Sequence, residues 1–287
     1  GTKRESTGST KCDAYLWAIE KLVRNGKVSS EHLGYYPDGF WLERHGDIGL
    51  ERTLLSNHDW IVAKRGLVFD LGPWLDTPVD DDPGQKLGED GRTFRELLKA
   101  CRARAKQPIH IAGFTPWDQK YCDFTGGPKG GVETEWHTVD IATCYDAFLD
   151  ADAAGLHAMA NASFFQHFPL KDRYEQKNLP TRESLAAKGW LGVQRPFVCL
   201  YVGDYDSAAW LYEMMPSLWD DPARGSIPLG WAFNPALERR FPLGLAHTRA
   251  TASENDTFVA GDSGAGYVNP GALVPPREHS GLESGLK

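Results

Sequence analysis

The feature that most constrains this chain is an alternation. Short runs rich in Val, Ile, Leu and Phe recur between stretches with helical spacing, and polar residues follow most of the runs. The apolar runs predict strands over 60–63, 67–71, 109–114, 156–160, 197–202, 228–233 and 257–260. Helices are expected over 13–24, 46–56, 92–105, 138–154, 182–188 and 207–215. In the first, Leu16, Ile19, Leu22 and Val23 share a face and Asn25-Gly26 stops the pattern. Strands alternating with helices imply a mostly parallel sheet. About seven strands at this spacing suit a TIM-barrel-like (β/α) barrel formed as one domain over residues 1–287. A doubly wound open sheet is the alternative, although no GxGxxG fingerprint follows the first strand.

Charge and cysteines narrow the function. The net charge of −8 repels nucleic-acid phosphates, and no apolar stretch is long enough to span a bilayer. The five cysteines, Cys12, Cys101, Cys122, Cys144 and Cys199, form no CxxC pair and read as buried apolar residues. The nine histidines show no metal-ligand spacing, and only His137 sits in a site-like segment. No metal or other cofactor is called for. The acidic run with Asp76, Asp80, Asp81 and Asp82 lacks the order of an EF-hand and reads as a solvated loop. The opening GTKREST, without Met, reads as the start of an excised piece.

In a parallel α/β fold, residues after strands gather on one rim, where such folds build their sites. That rim collects Asp70, Thr115, Trp117, Lys120, Asn161, Ser163, Asp204, Asp206, Asn234, Asp262 and Ser263. Glu133 and Glu135 join them beside Trp136. Aromatic rings in polar loops, Trp74, Trp117 and Trp136 among them, offer flat faces for sugars and equally serve to anchor loops.

Glycosidic cleavage uses two carboxyl groups, one to protonate the leaving oxygen and one to attack or activate water. Asp206 and Glu135 are the first candidates, with Asp204, Asp262 and Asp70 as alternates. Asp204 and Asp206 share a face if GDYDS stays extended, and mutual repulsion would raise one pKa. Asp206 equally suits a helix cap. Trp74, Trp117, Lys120, Trp136, Asn161, Asn234 and Tyr267 are the expected substrate contacts.

The segment Gly264-Ala265-Gly266-Tyr267-Val268-Asn269-Pro270 resembles the motif that names the GxGYxYP family of putative glycoside hydrolases. Asn269 stands where the family name has Tyr. FDLGPW, GFTPWDQKY, TEW, DADA, MANASF, VGDYDSAAWL and WDDPARGSIPLGWAFNP also resemble that family, in the right order along the chain. Only Gly264, Gly266, Tyr267 and Pro270 carry over as motif positions. The resemblance implies a barrel-like catalytic domain, a carbohydrate substrate and an exported protein, extracellular or periplasmic. It also implies that residues completing the barrel lie beyond this end. Two glycines allow close approach to a ligand and Tyr267 offers a stacking face, while a tight structural turn fits equally well.

Other chemistries fit less well. GDSGAG is similar to the nucleophile segment of trypsin-like proteases, but those are all-β and need a histidine segment absent here. The remaining alternatives are a non-catalytic glycan binder and a carbohydrate esterase or lyase on the same rim.

Overall fold

The computed structural model describes residues 5–35, 58–75, 85–113, 134–150, 161–177, 179–194, 196–205, 211, 215–261 and 266–273. Helix α1 (Thr10–Ala18) begins at Ser9, whose hydroxyl accepts from the Cys12 amide, and continues as a π-helical turn, Ile19–Val23. Cys12, Leu16, Ile19 and Val23 form its buried face.

Four parallel strands form the first sheet: β1 (His32–Tyr35), β2 (Leu67–Phe69), β3 (Ile109–Gly113) and β4 (Ala147–Asp150), in the order β2-β1-β3-β4. The second sheet is also parallel: β5 (Tyr201–Tyr205), β6 (Leu229–Phe233) and β7 (Asp256–Ala260), in sequence order. The α/β class and the parallel pairing agree with the sequence. The described residues form no closed barrel. Barrel closure needs each strand beside its predecessor, whereas β1 here lies between β2 and β3. That order is the one expected of an open, doubly wound sheet.

The first sheet is buried on both faces, as parallel sheets are. Leu33, Tyr35, Phe69, Ile109, Ile111, Ala147 and Leu149 face one core, shared with α1, with α3 (Glu89–Arg102) and with α4 (Thr134–Cys144). Val68 and Ala112 alternate to the other face, a core shared with Trp231, Phe233 and Phe258 of the second sheet. Thus one core lies between the two sheets.

Several elements differ from expectation. Residues 58–63 form a helix, α2 (His58–Ala63). Trp60 and Ile61 are buried while Val62 is exposed, so a single face is covered and the β-branched residues yield to that packing. The helix expected over 138–154 is instead α4, starting earlier, followed by β4, where Ala147–Asp150 are all buried. Strand β1 and helix α8 (Pro242–Thr251) were not expected. The short helices are α5 (Ala162–Phe165), α6 (Arg182–Ala187) and α7 (Met215–Trp219). The helix expected over 46–56 and the strand over 156–160 lie outside the described residues.

Candidate active site

The carboxyl ends of β1 and β2 meet at the FDLGPW segment. The Tyr35 hydroxyl donates to the Leu71 carbonyl at 2.7 Å. Asp70 follows β2 and is buried, 4% exposed, with its main-chain N–H donating to the Tyr15 hydroxyl at 3.0 Å. Burial pushes the Tyr15 phenol up to about 12, and the Asp70 charge adds to that.

Asp90, in the first turn of α3, holds this segment. Its carboxylate accepts from the Gly72 amide at 2.9 Å, Lys11 Nζ at 2.9 Å, Gln85 Nε2 at 2.9 Å and Cys12 Sγ at 3.3 Å. Arg95 Nη1 donates to the Pro73 carbonyl at 2.8 Å. A Cβ on Gly91 would lie 2.5 Å from the Trp74 carbonyl, so the helix meets the loop where only glycine fits. Trp74 is consequently buried and stacks on His137 of α4 at 4.2 Å, which takes its ring away from solvent.

At the carboxyl end of β4, Asp150 joins a charge cluster with no exposure. His110 Nε2 and Arg240 Nε each lie 2.6 Å from Asp150 Oδ2, and Asn234 Nδ2 is 3.3 Å from Oδ1. Burial opposes ionisation of Asp150, but the Arg240 guanidinium and His110 outweigh it and hold the carboxyl at about 2. Burial pushes His110 downward. A carboxylate held ionised and already paired with a buried guanidinium is a poor proton donor. Asp150 therefore organises the junction between β4, β6 and the turn before α8.

The glycine motif closes onto the same strand. Tyr267 and Leu149 exchange both main-chain hydrogen bonds, at 2.7 and 3.1 Å, as an antiparallel bridge. Gly266 has φ +98, and a Cβ there would sit 2.6 Å from the Leu149 carbonyl. The Asn269 side chain donates to Asp140 of α4, and its main-chain N–H donates to the Thr143 hydroxyl at 3.1 Å. Tyr267 packs partly buried against the first core. The described part of the motif thus fastens residues 266–273 to β4 and α4.

Residues 194–282 match the GxGYxYP putative glycoside hydrolase C-terminal domain. The family resembled by the sequence is found over that segment, which contains β5–β7, α8 and the motif. The comparison with curated proteins gives no match. Among solved structures, the chain is similar to a putative hydrolase from Bacteroides thetaiotaomicron, with a TM-score of 0.57 and 17% identity over 92% of this chain. The chain spans 40% of that protein. At that identity the likeness speaks for the fold.

The structure brings together only part of the expected rim. Asp70 and Asn234 are buried at strand ends, and Asn234 additionally accepts from the Ala236 amide at 2.9 Å. Asn161 is exposed with φ +59, ahead of α5. Trp136 is exposed on α4, and Pro270 is exposed at the end of the motif. Glu135 lies in the first turn of α4, so the helix starts before it, and Asp204 lies in β5. Thr115, Trp117, Lys120, Glu133, Asp206, Asp262, Ser263, Gly264 and the acidic run at 76–82 lie outside the described residues. Cys12, Cys101 and Cys144 are buried and Cys199 is exposed, all unbridged.

The buried cluster of His110, Asp150 and Arg240 was missed. A signal existed for His110, which interrupts the alternation of Ile109 and Ile111 with a polar group on the opposite face of the strand. Asp150 sat within a stretch read as helix, and Arg240 in a run of charges after β6.

Proposed function

We propose that this chain is part of a glycoside hydrolase that cleaves a glycosidic bond by carboxylate acid/base chemistry. The observation carrying the proposal is the family match over residues 194–282, with its named motif fastened to β4 of a parallel sheet. Sites in such sheets form outside the carboxyl ends of strands, at the point where strand order reverses, which here lies between β1 and β3. Asp70, at the carboxyl end of β2 next to β1, is one of the described carboxyl groups at that end of the sheet. Asp206 and Glu135 are the proposed acid/base pair, with Asp204 and Asp262 as alternates. Trp117, Lys120 and Trp136 are the proposed sugar contacts.

The test is incubation of the intact protein with a panel of poly- and oligosaccharides, read by new reducing ends and by mass spectrometry. Saturated products with new reducing ends support hydrolysis. Unsaturated products absorbing in the ultraviolet mark a lyase, and released acyl groups an esterase. Binding without product marks a glycan-binding protein.

A further inference from the structure

A pocket of about 420 Å³ opens at the other end of the first sheet. Glu31 and His32 at the start of β1 line it, with Gln107 just before β3, Lys64 after α2, Gln166 after α5 and Arg239 before α8. Strand carboxyl ends carry the proposed glycosidase chemistry, so this pocket at the amino ends is outside it.

We infer that this pocket is a second binding site, for a sugar-sized anion bearing a carboxylate or a phosphate. The volume falls in the range of small-molecule sites, roughly 300–1,000 Å³. Among the described residues neither of its two permanent cations, Lys64 and Arg239, forms an ion pair with a carboxylate. The acid among the described residues that line it, Glu31, accepts from the Lys106 main-chain N–H at 2.8 Å.

Adjacent Arg239 and Arg240 divide their roles. Arg240 turns inward to Asp150, while Arg239 is exposed at the pocket, its guanidinium 5.7 Å from the Phe148 ring. The Trp60 indole donates to the Arg239 carbonyl at 3.3 Å, which fixes the turn carrying that side chain. Lys64 Nζ lies 5.7 Å over the same indole ring. Both cations are thus seated on aromatic groups rather than on acids.

His32 reports the resulting field. Burial pushes it down to about 4, and His110, Lys64 and Arg239 act in the same direction against Glu31. At neutral pH it is an uncharged hydrogen-bonding group, with Nδ1 3.1 Å from the Ser29 hydroxyl. Gln107 and Gln166 add amide groups suited to hydroxyls. An oxyanion between Lys64 and Arg239 would gain two charge-assisted contacts that water and neutral sugars do not replace.

The experiment is calorimetric titration of the intact protein with glucuronate, glucose 6-phosphate and glucose. Saturable binding of either anion, at least tenfold tighter than glucose, is expected. The tighter anion identifies the carboxylate or the phosphate as the preferred group. Lys64→Gln and Arg239→Gln, with wild-type melting temperatures, should each weaken that binding at least tenfold. Absence of anion binding, equal binding of glucose, or unchanged affinity in both folded variants would overturn the assignment.

Discussion

Arg240 Nε lies 2.6 Å from Asp150 Oδ2, and neither side chain is exposed to solvent. Such a pair adds little net stability when complete, because both ions have lost their water, but removing one partner strands the other. Arg240→Met should cost about 3–5 kcal/mol by this reasoning, read by urea denaturation. Asp150→Asn, which leaves Arg240 charged, should also destabilise. A loss under 1 kcal/mol in both would show that the cluster does not hold the sheets together.

The histidines and Asp150 make stability fall with acid. His32 has a folded pKa of about 4 against an ordinary 6.5, so the unfolded chain takes its proton first. Its contribution is fully present above about pH 6.5 and is lost as pH falls toward 4. Asp150, at about 2 against 3.8, extends the loss from about pH 4 downward. Melting temperatures should therefore drop between pH 7 and 4. His32→Asn should flatten that slope, whereas an unchanged slope would remove His32 from the account.

Gly266→Ala should destabilise by about 1–3 kcal/mol, since it combines a left-handed φ with a clash against main chain. The clash falls on the Leu149 carbonyl, which accepts the Tyr267 hydrogen bond. Faster amide exchange at Leu149 and Tyr267 is the local signature. Wild-type protection there would mean that the motif does not depend on this bridge.

Asn269 occupies the position where the family motif has Tyr, and it contacts Asp140. Burial pushes the Asp140 carboxyl upward, opposed by the Asn269 amide. Asn269→Ala removes the donor to Oδ1 of a buried acid whose Oδ2 has no hydrogen-bond partner among the described residues. A loss of about 1–3 kcal/mol is expected in urea denaturation, with the Asp140 carboxyl titrating at higher pH by NMR. An unchanged Asp140 titration would contradict the contact.

The sequence was most legible where local pattern and burial agree. Helix α3 and strands β3, β6 and β7 lie close to where periodicity puts them, because each buries the face its pattern offers. It failed where packing overrode propensity. The Ala-rich stretch containing β4 has helical composition, yet it pairs with β3 and is buried along its length. Strand order was also illegible, since β1 pairs with both β2 and β3 through contacts distant in sequence. At the site, polar residues after strands correctly marked Asp70 and Asn234 as strand-end groups. They did not distinguish groups facing a ligand from groups spent inside the fold. Trp74 on His137 and Asn234 beside Asp150 show that distinction, which depends on the partner element.

The central claim, carboxylate-driven glycosidic hydrolysis, is tested most directly by initial rates of reducing-end release from a responsive glycan. Wild type is compared with Asp206→Asn and Glu135→Gln, each confirmed folded. Loss of a general acid or base is worth roughly 10²–10⁴ in rate, so a drop of that size in both variants is predicted. Wild-type rates in both would contradict the assigned pair, and the absence of saturated hydrolysis products from every glycan would contradict the claim itself.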